Sequence, residues 1–149
     1  MGREERQADM GELREQAPRV LVVEDEPEML RLVQAALEEA GMQVTGAARE
    51  GEALKRLREG RYDVVVTDLY VTRGQEELES IAALLREAGA TPVGVMSGWP
   101  VEEEVARAAG VAFVLRKPFA LEELVRAVEA ALAGRSRQGE EGLEVSPFL

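Results

Sequence analysis

The sequence has no cysteine and no histidine. Without cysteine there are no disulfides and no thiolate metal sites. Without histidine there is no Ser-His-Asp or Cys-His machinery and no imidazole-bound zinc. Nor can the protein carry a phosphohistidine, so in phosphoryl relay it can only take the group onto another side chain. Aromatic residues are scarce, at 4%. No apolar run approaches the roughly 18 residues that cross a bilayer. Residues 1–18 carry mixed charge where a secretory leader needs an apolar stretch. A cytoplasmic protein with no membrane insertion is therefore expected. Basic charge is also short, with 18 Lys and Arg against 29 Asp and Glu and a net charge of −11. Phosphate contacts require basic surface, so no direct contact with nucleic acid is expected.

What is present is a core-forming composition, 46% hydrophobic, built from Val, Leu and Ala. The 149 residues suit one domain with short tails. The expected division is a charged extension over 1–18, a domain over 19–133 and a flexible tail over 134–149. Within the domain, β-branched runs alternate with helical spacing. Strands are expected at Arg19–Val23, Met42–Thr45, Tyr62–Asp68, Pro92–Met96 and Val111–Arg116. Between them lie a helix opened by Pro27 with Leu30, Val33 and Leu37 inward, one near 50–59, one carrying Leu78, Ile81, Leu84 and Leu85, and one over Val101–Ala109. A last helix, Phe119–Ala133, has Leu121, Leu124, Val125, Val128 and Leu132 on one stripe. Five strands alternating with five helices predict an α/β fold, a parallel sheet covered on both faces. Ligands of such sheets bind beyond the C-terminal strand ends.

The residues at those ends are Glu24 and Asp25 after the first strand, Asp68 after the third, Ser97 after the fourth and Lys117 after the fifth. Clustered carboxylates repel one another, and a hard divalent cation such as Mg²⁺ relieves the repulsion. One carboxylate can then attack a phosphoryl group, while a lysine and a hydroxyl hold its oxygens. Singly, each of these residues reads as a turn or cap residue. Their joint placement at successive strand ends is what carries the chemistry.

Four segments, Val22-Val23-Glu24-Asp25-Glu26-Pro27, Tyr62 to Leu69, Val95-Met96-Ser97-Gly98 and Lys117-Pro118-Phe119, resemble the signature segments of response-regulator receiver domains. The resemblance covers about residues 18–133. It implies a flavodoxin-like, doubly wound five-stranded sheet of order 2-1-3-4-5. It implies Asp68 as acceptor of a phosphoryl group from a sensor histidine kinase or a phosphotransfer protein. By the same resemblance Glu24, Asp25, Asp68 and the Tyr70 backbone carbonyl bind Mg²⁺, Ser97 and Lys117 contact the phosphoryl group, and Lys117-Pro118 is cis. The implied protein is a signalling domain, an enzyme only toward its own phosphorylation and dephosphorylation, that acts through a downstream protein target.

The sequence departs from the family pattern in three places. Val114 stands where receivers usually carry a switch aromatic, and Phe113 beside it faces the other way by strand alternation. Thr72 stands where a proline is common. Tyr70 and Trp99 stand two residues beyond Asp68 and Ser97, where rings can shield an aspartyl phosphate from water; surface placement of both is the competing expectation. These departures leave a second reading, a receiver fold used as a binding module independent of phosphorylation. An aspartate-based phosphatase is disfavoured, because such enzymes need a carboxylate where Tyr70 stands. The runs of glutamate at 38–39, 76–77, 102–104 and 122–123 read as solvated helix faces. Phe119 and Ala120 are expected partner contacts. With no further domain after 133, a stand-alone receiver is expected. Its apolar tip at Val145–Leu149 is either a docking peptide or disordered, and Met10, Leu13 and Ala17 either extend a short helix or are disordered.

Overall fold

A computed structural model describes residues 17–69 and 81–141, with 135–141 as backbone. Strand β1 spans Arg19–Val23, β2 Gln43–Ala47, β3 Val64–Asp68, β4 Val93–Ser97 and β5 Phe113–Arg116. All pairings are parallel and the order is β2-β1-β3-β4-β5, so the expected topology is the one found. The central strands are continuous apolar runs because both of their faces are covered. Every residue of β3 and of β4 is buried.

The helices among the described residues are α1 (Pro27–Glu39), α2 (Glu50–Glu59), α3 (Ala82–Ala88), α4 (Glu103–Ala109) and α5 (Leu121–Glu141). Pro27 occupies the first turn of α1, where its missing N–H costs nothing. Gly41 follows at φ 94°, and its N–H donates to the Glu38 carbonyl at 2.9 Å. In α2, Glu50 and Glu52 open the helix and Arg56 and Arg58 close it, each matched to the dipole end it sits on. Helix α5 runs past 133, where its apolar stripe stops, to Glu141. The first eight residues of the expected tail, 134–141, are thus helical. An amphipathic stripe marks only where a helix is buried. Arg and Gln prolong a helix without burial, and one Gly costs it only about 1 kcal/mol. Residue Leu78, expected on a helix, and the tip 145–149 lie outside the described residues.

Side-chain alternation splits the core in two. Toward α1 and α5 lie Val20, Val22, Val64, Val66, Met96, Phe113 and Leu115, packed with Val33, Leu37, Leu124 and Val128. Toward α2, α3 and α4 lie Leu21, Val23, Val65, Val93 and Val95, packed with Ala53, Leu84 and Ala106. Phe113 and Val114 fall on opposite faces, as alternation requires: Phe113 joins the first cluster, while Val114 packs with Leu69, Val95 and Ala106. Phe113 pairs in register with Gly94. Its ring fills the space above that glycine so closely that a Cβ on Gly94 would collide with Phe113 Cζ.

Candidate functional site

The parallel register sets the site. Val23 pairs with Thr67, Asp68 with Met96 and Ser97 with Arg116, so the strands end side by side. Backbone bonds carry the ladder one residue further: Glu24 N–H to Ala47, Leu69 N–H to Met96 and Lys117 N–H to Ser97, at 2.9, 2.8 and 2.7 Å. These bonds fix the Cα positions of Glu24 and Lys117 at the sheet edge. Residues 49 and 93 positions apart from Asp68 and Glu24 respectively are thereby brought within reach of them: Lys117 Nζ lies 2.9 Å from Asp68 Oδ1 and 2.9 Å from Glu24 Oε1.

Glu24, Asp25 and Asp68 each offer a carboxylate oxygen within 4.8 Å of the others. Glu24 is 1% exposed and Asp68 is buried, while Asp25 faces solvent. Burial pushes the Glu24 carboxyl above its ordinary range, and the Asp68 charge adds to the push; the Lys117 hydrogen bond opposes it without cancelling it. Burial alone would lower Lys117, but its bonds to Glu24 and Asp68 outweigh that and raise it, so it is held as ammonium. One ammonium facing three carboxylates leaves an excess of negative charge. That excess, with only hard oxygen donors present, fits a divalent cation of the Mg²⁺ type.

Ser97 sits at the end of β4 and is fully buried. Its hydroxyl is closed in a local turn: Oγ donates to the Trp99 carbonyl at 2.8 Å and accepts the Trp99 N–H at 3.0 Å. These bonds run to its own loop and not to Asp68. The Trp99 side chain is 59% exposed, so its ring is largely in solvent. Lys117-Pro118 is cis. Tyr70 and Thr72 lie outside the described residues. The lysine clamp on Glu24 and the turn that occupies Ser97 left no signal in the sequence, because neither follows from residue type or spacing.

The model of the response regulator receiver domain family matches residues 20–129. The chain belongs to that family. Among relatives of this receiver domain, the transcriptional regulatory protein PrrA of Mycobacterium tuberculosis is 36% identical over 121 residues, 80% of this chain and 52% of the relative. The transcriptional regulatory protein TcrA of the same organism is 38% identical over 123 residues, 81% of this chain and 47% of the relative. The chain thus spans about half the length of the curated relatives it matches. A response regulator from Thermotoga maritima superposes with a TM-score of 0.67 at 32% identity, covering 78% of this chain and 98% of that one. Another from that organism, TrrA in complex with Mg²⁺ and BeF, superposes at 0.64 with 28% identity, covering 77% and 99%. No helix among the described residues is long and apolar enough to cross a membrane.

Proposed function

We propose that this receiver domain takes a phosphoryl group onto Asp68 from a phosphohistidine of a sensor kinase or phosphotransfer protein. An Asp68 carboxylate oxygen attacks phosphorus, the O–P bond forms, the P–N bond breaks, and the electron pair returns to the donor imidazole. The observation that carries this reading is the meeting of three carboxylates with Lys117, 2.9 Å from Asp68, at one sheet edge. Lys117, whose ammonium lies 2.9 Å from Asp68, would bind a phosphoryl oxygen. Ser97 serves the same group once its hydroxyl leaves the Trp99 carbonyl, so engagement of Ser97 and release of the Trp99 loop are one event. Glu24, Asp25 and Asp68, with the Tyr70 carbonyl, would hold Mg²⁺. When bound, the ion supplies neutralisation of charge on the phosphoryl oxygens. The mutual proximity of the three carboxylates and the crystal form of TrrA with Mg²⁺ and BeF support that assignment.

The phosphorylated domain signals by changed binding to a protein target, and its own chemistry is confined to gaining and losing the phosphoryl group. With Val114 turned toward Ala106 and Val95 and no aromatic on that face of β5, the signal runs through the Ser97–Trp99 loop. The names of PrrA and TcrA as transcriptional regulators add an effector domain to the arrangements this receiver can serve. Intact mass after incubation with acetyl phosphate and Mg²⁺ tests the proposal. One added phosphoryl group in wild type and none in Asp68→Asn is expected. No gain in wild type, repeated with phosphoramidate, overturns the acceptor assignment and favours a binding module independent of phosphorylation.

A further inference from the structure

An apolar groove of about 580 Å³ opens between α1 and α5, on the face of the sheet opposite α4. Leu32, Leu121 and Val125 line its floor, and its charged residues are Glu39, Glu122 and Arg126. Leu32 is 54% exposed and Leu121 37%, so two leucines on neighbouring helices stand open to water on one face. None of these side chains belongs to the acid site.

Glu122 and Arg126 stand four residues apart, on one face of α5 beside Val125. In α2 the same spacing is used within the helix: Lys55 pairs with Glu59 and Arg56 with Glu52, each at 4.0 Å. Glu122 and Arg126 form no ion pair with each other or with any other described residue. Opposite charges one turn apart are complementary to themselves when the helix is reversed. A second α5 laid antiparallel sets Glu122 against Arg126, and Arg126 against Glu122. A two-fold axis performs that reversal, and the interface it generates needs a patch that fits its own copy.

We propose that a second copy of this chain covers the groove, with α5 antiparallel to α5 and α1 antiparallel to α1 about a two-fold axis near Val125. Leu32, Leu121 and Val125 of each copy are then buried against the other, and two Glu122–Arg126 ion pairs cross the contact. Glu39 is left over in each copy, so the apolar floor supplies the strength of the pairing and the ion pairs fix its direction. The net charge of −11 on each chain opposes association, which sets the expected Kd in the range of roughly 10–100 μM. The Ser97–Trp99 loop leads into α4 on the opposite face, so a dimer joined this way leaves both copies of that loop uncovered.

Sedimentation velocity of the full chain, without phosphoryl donor or metal, tests the proposal at concentrations up to about 0.5 mM. Wild type is expected to dimerise, and Leu32→Glu to weaken the dimer at least about tenfold. Glu122→Arg and Arg126→Glu, each alone, set like charges against each other and should also weaken it about tenfold. The two single variants mixed in equal amounts should recover a heterodimer, because every arginine of one copy then meets a glutamate of the other. All three positions are exposed, so the variants keep the fold, which circular dichroism checks. A monomeric wild type, a dimer indifferent to Leu32→Glu, or a mixture no more associated than its components overturns the proposal. No phosphorylation enters the readout, so its failure leaves the Asp68 reading standing, and failure of that reading leaves the dimer standing.

Discussion

Replacing Lys117 by Met isolates the electrostatics of the site. The ammonium lies 2.9 Å from both Glu24 and Asp68, and Glu24 is 1% exposed. At an effective dielectric of about 20, each contact at that distance is worth about 6 kcal/mol of Coulomb attraction. Most of it is offset by the desolvation of the charges, and Lys117 keeps 22% of its side chain in water. Breaking a fully buried pair costs about 3–5 kcal/mol, so a partly open one should cost about 2–4. For a domain of this size that corresponds to a fall in Tm of roughly 5–15 °C. Urea melts in EDTA at neutral pH would measure it. Adding Glu24→Gln should recover part of the loss, because it removes the more deeply buried of the two carboxylates that Lys117 leaves behind, while Asp68 stays without that partner. A Lys117→Met cost below about 0.5 kcal/mol, or a double variant no better than the single, refutes the clamp.

Saturating Mg²⁺ at about 100 times its Kd should stabilise wild type by about 2.7 kcal/mol, read by thermal melts against EDTA; an equal gain in Asp68→Asn removes Asp68 from the metal site. The raised Glu24 carboxyl sets a pH slope whose sign is fixed. Its folded value lies above the ordinary 4.5, so its contribution to stability is complete below that value and is lost as pH rises through the folded value. Metal-free wild type should therefore lose stability relative to Glu24→Gln as pH climbs from 4.5 toward neutrality, and parallel pH profiles contradict this. Lys117, raised above 10.5, holds its charge across that window and adds no slope. Gly94→Ala drives a Cβ into Phe113 Cζ, and overpacking of this kind should cost about 1–3 kcal/mol in denaturant melts. The cost should shrink in a Phe113→Leu background; an unchanged cost means the ring is not the obstacle.

The sequence by itself determined a parallel α/β sheet and which residues end its strands, and its resemblance to receiver domains supplied the strand order. Strands alternating with helices leave few arrangements once crossovers must be right-handed, and a parallel sheet sends every strand's C-terminus to the same edge. Glu24, Asp68, Ser97 and Lys117 are legible for that reason: each needs only its own strand to end where the apolar run ends. The opposite facing of Phe113 and Val114 is legible too, from a period of two. Tertiary structure decided what depends on distance between elements. That Lys117 clamps Glu24 as well as Asp68, and that Ser97 spends its hydroxyl on Trp99, are matters of a few ångströms between separate loops. That Gly94 must be glycine depends on a ring from the neighbouring strand. The continuation of α5 to Glu141 escaped periodicity because burial, and not helicity, is what the apolar stripe records. The groove between α1 and α5 belongs to neither helix alone, so only their packing could reveal it.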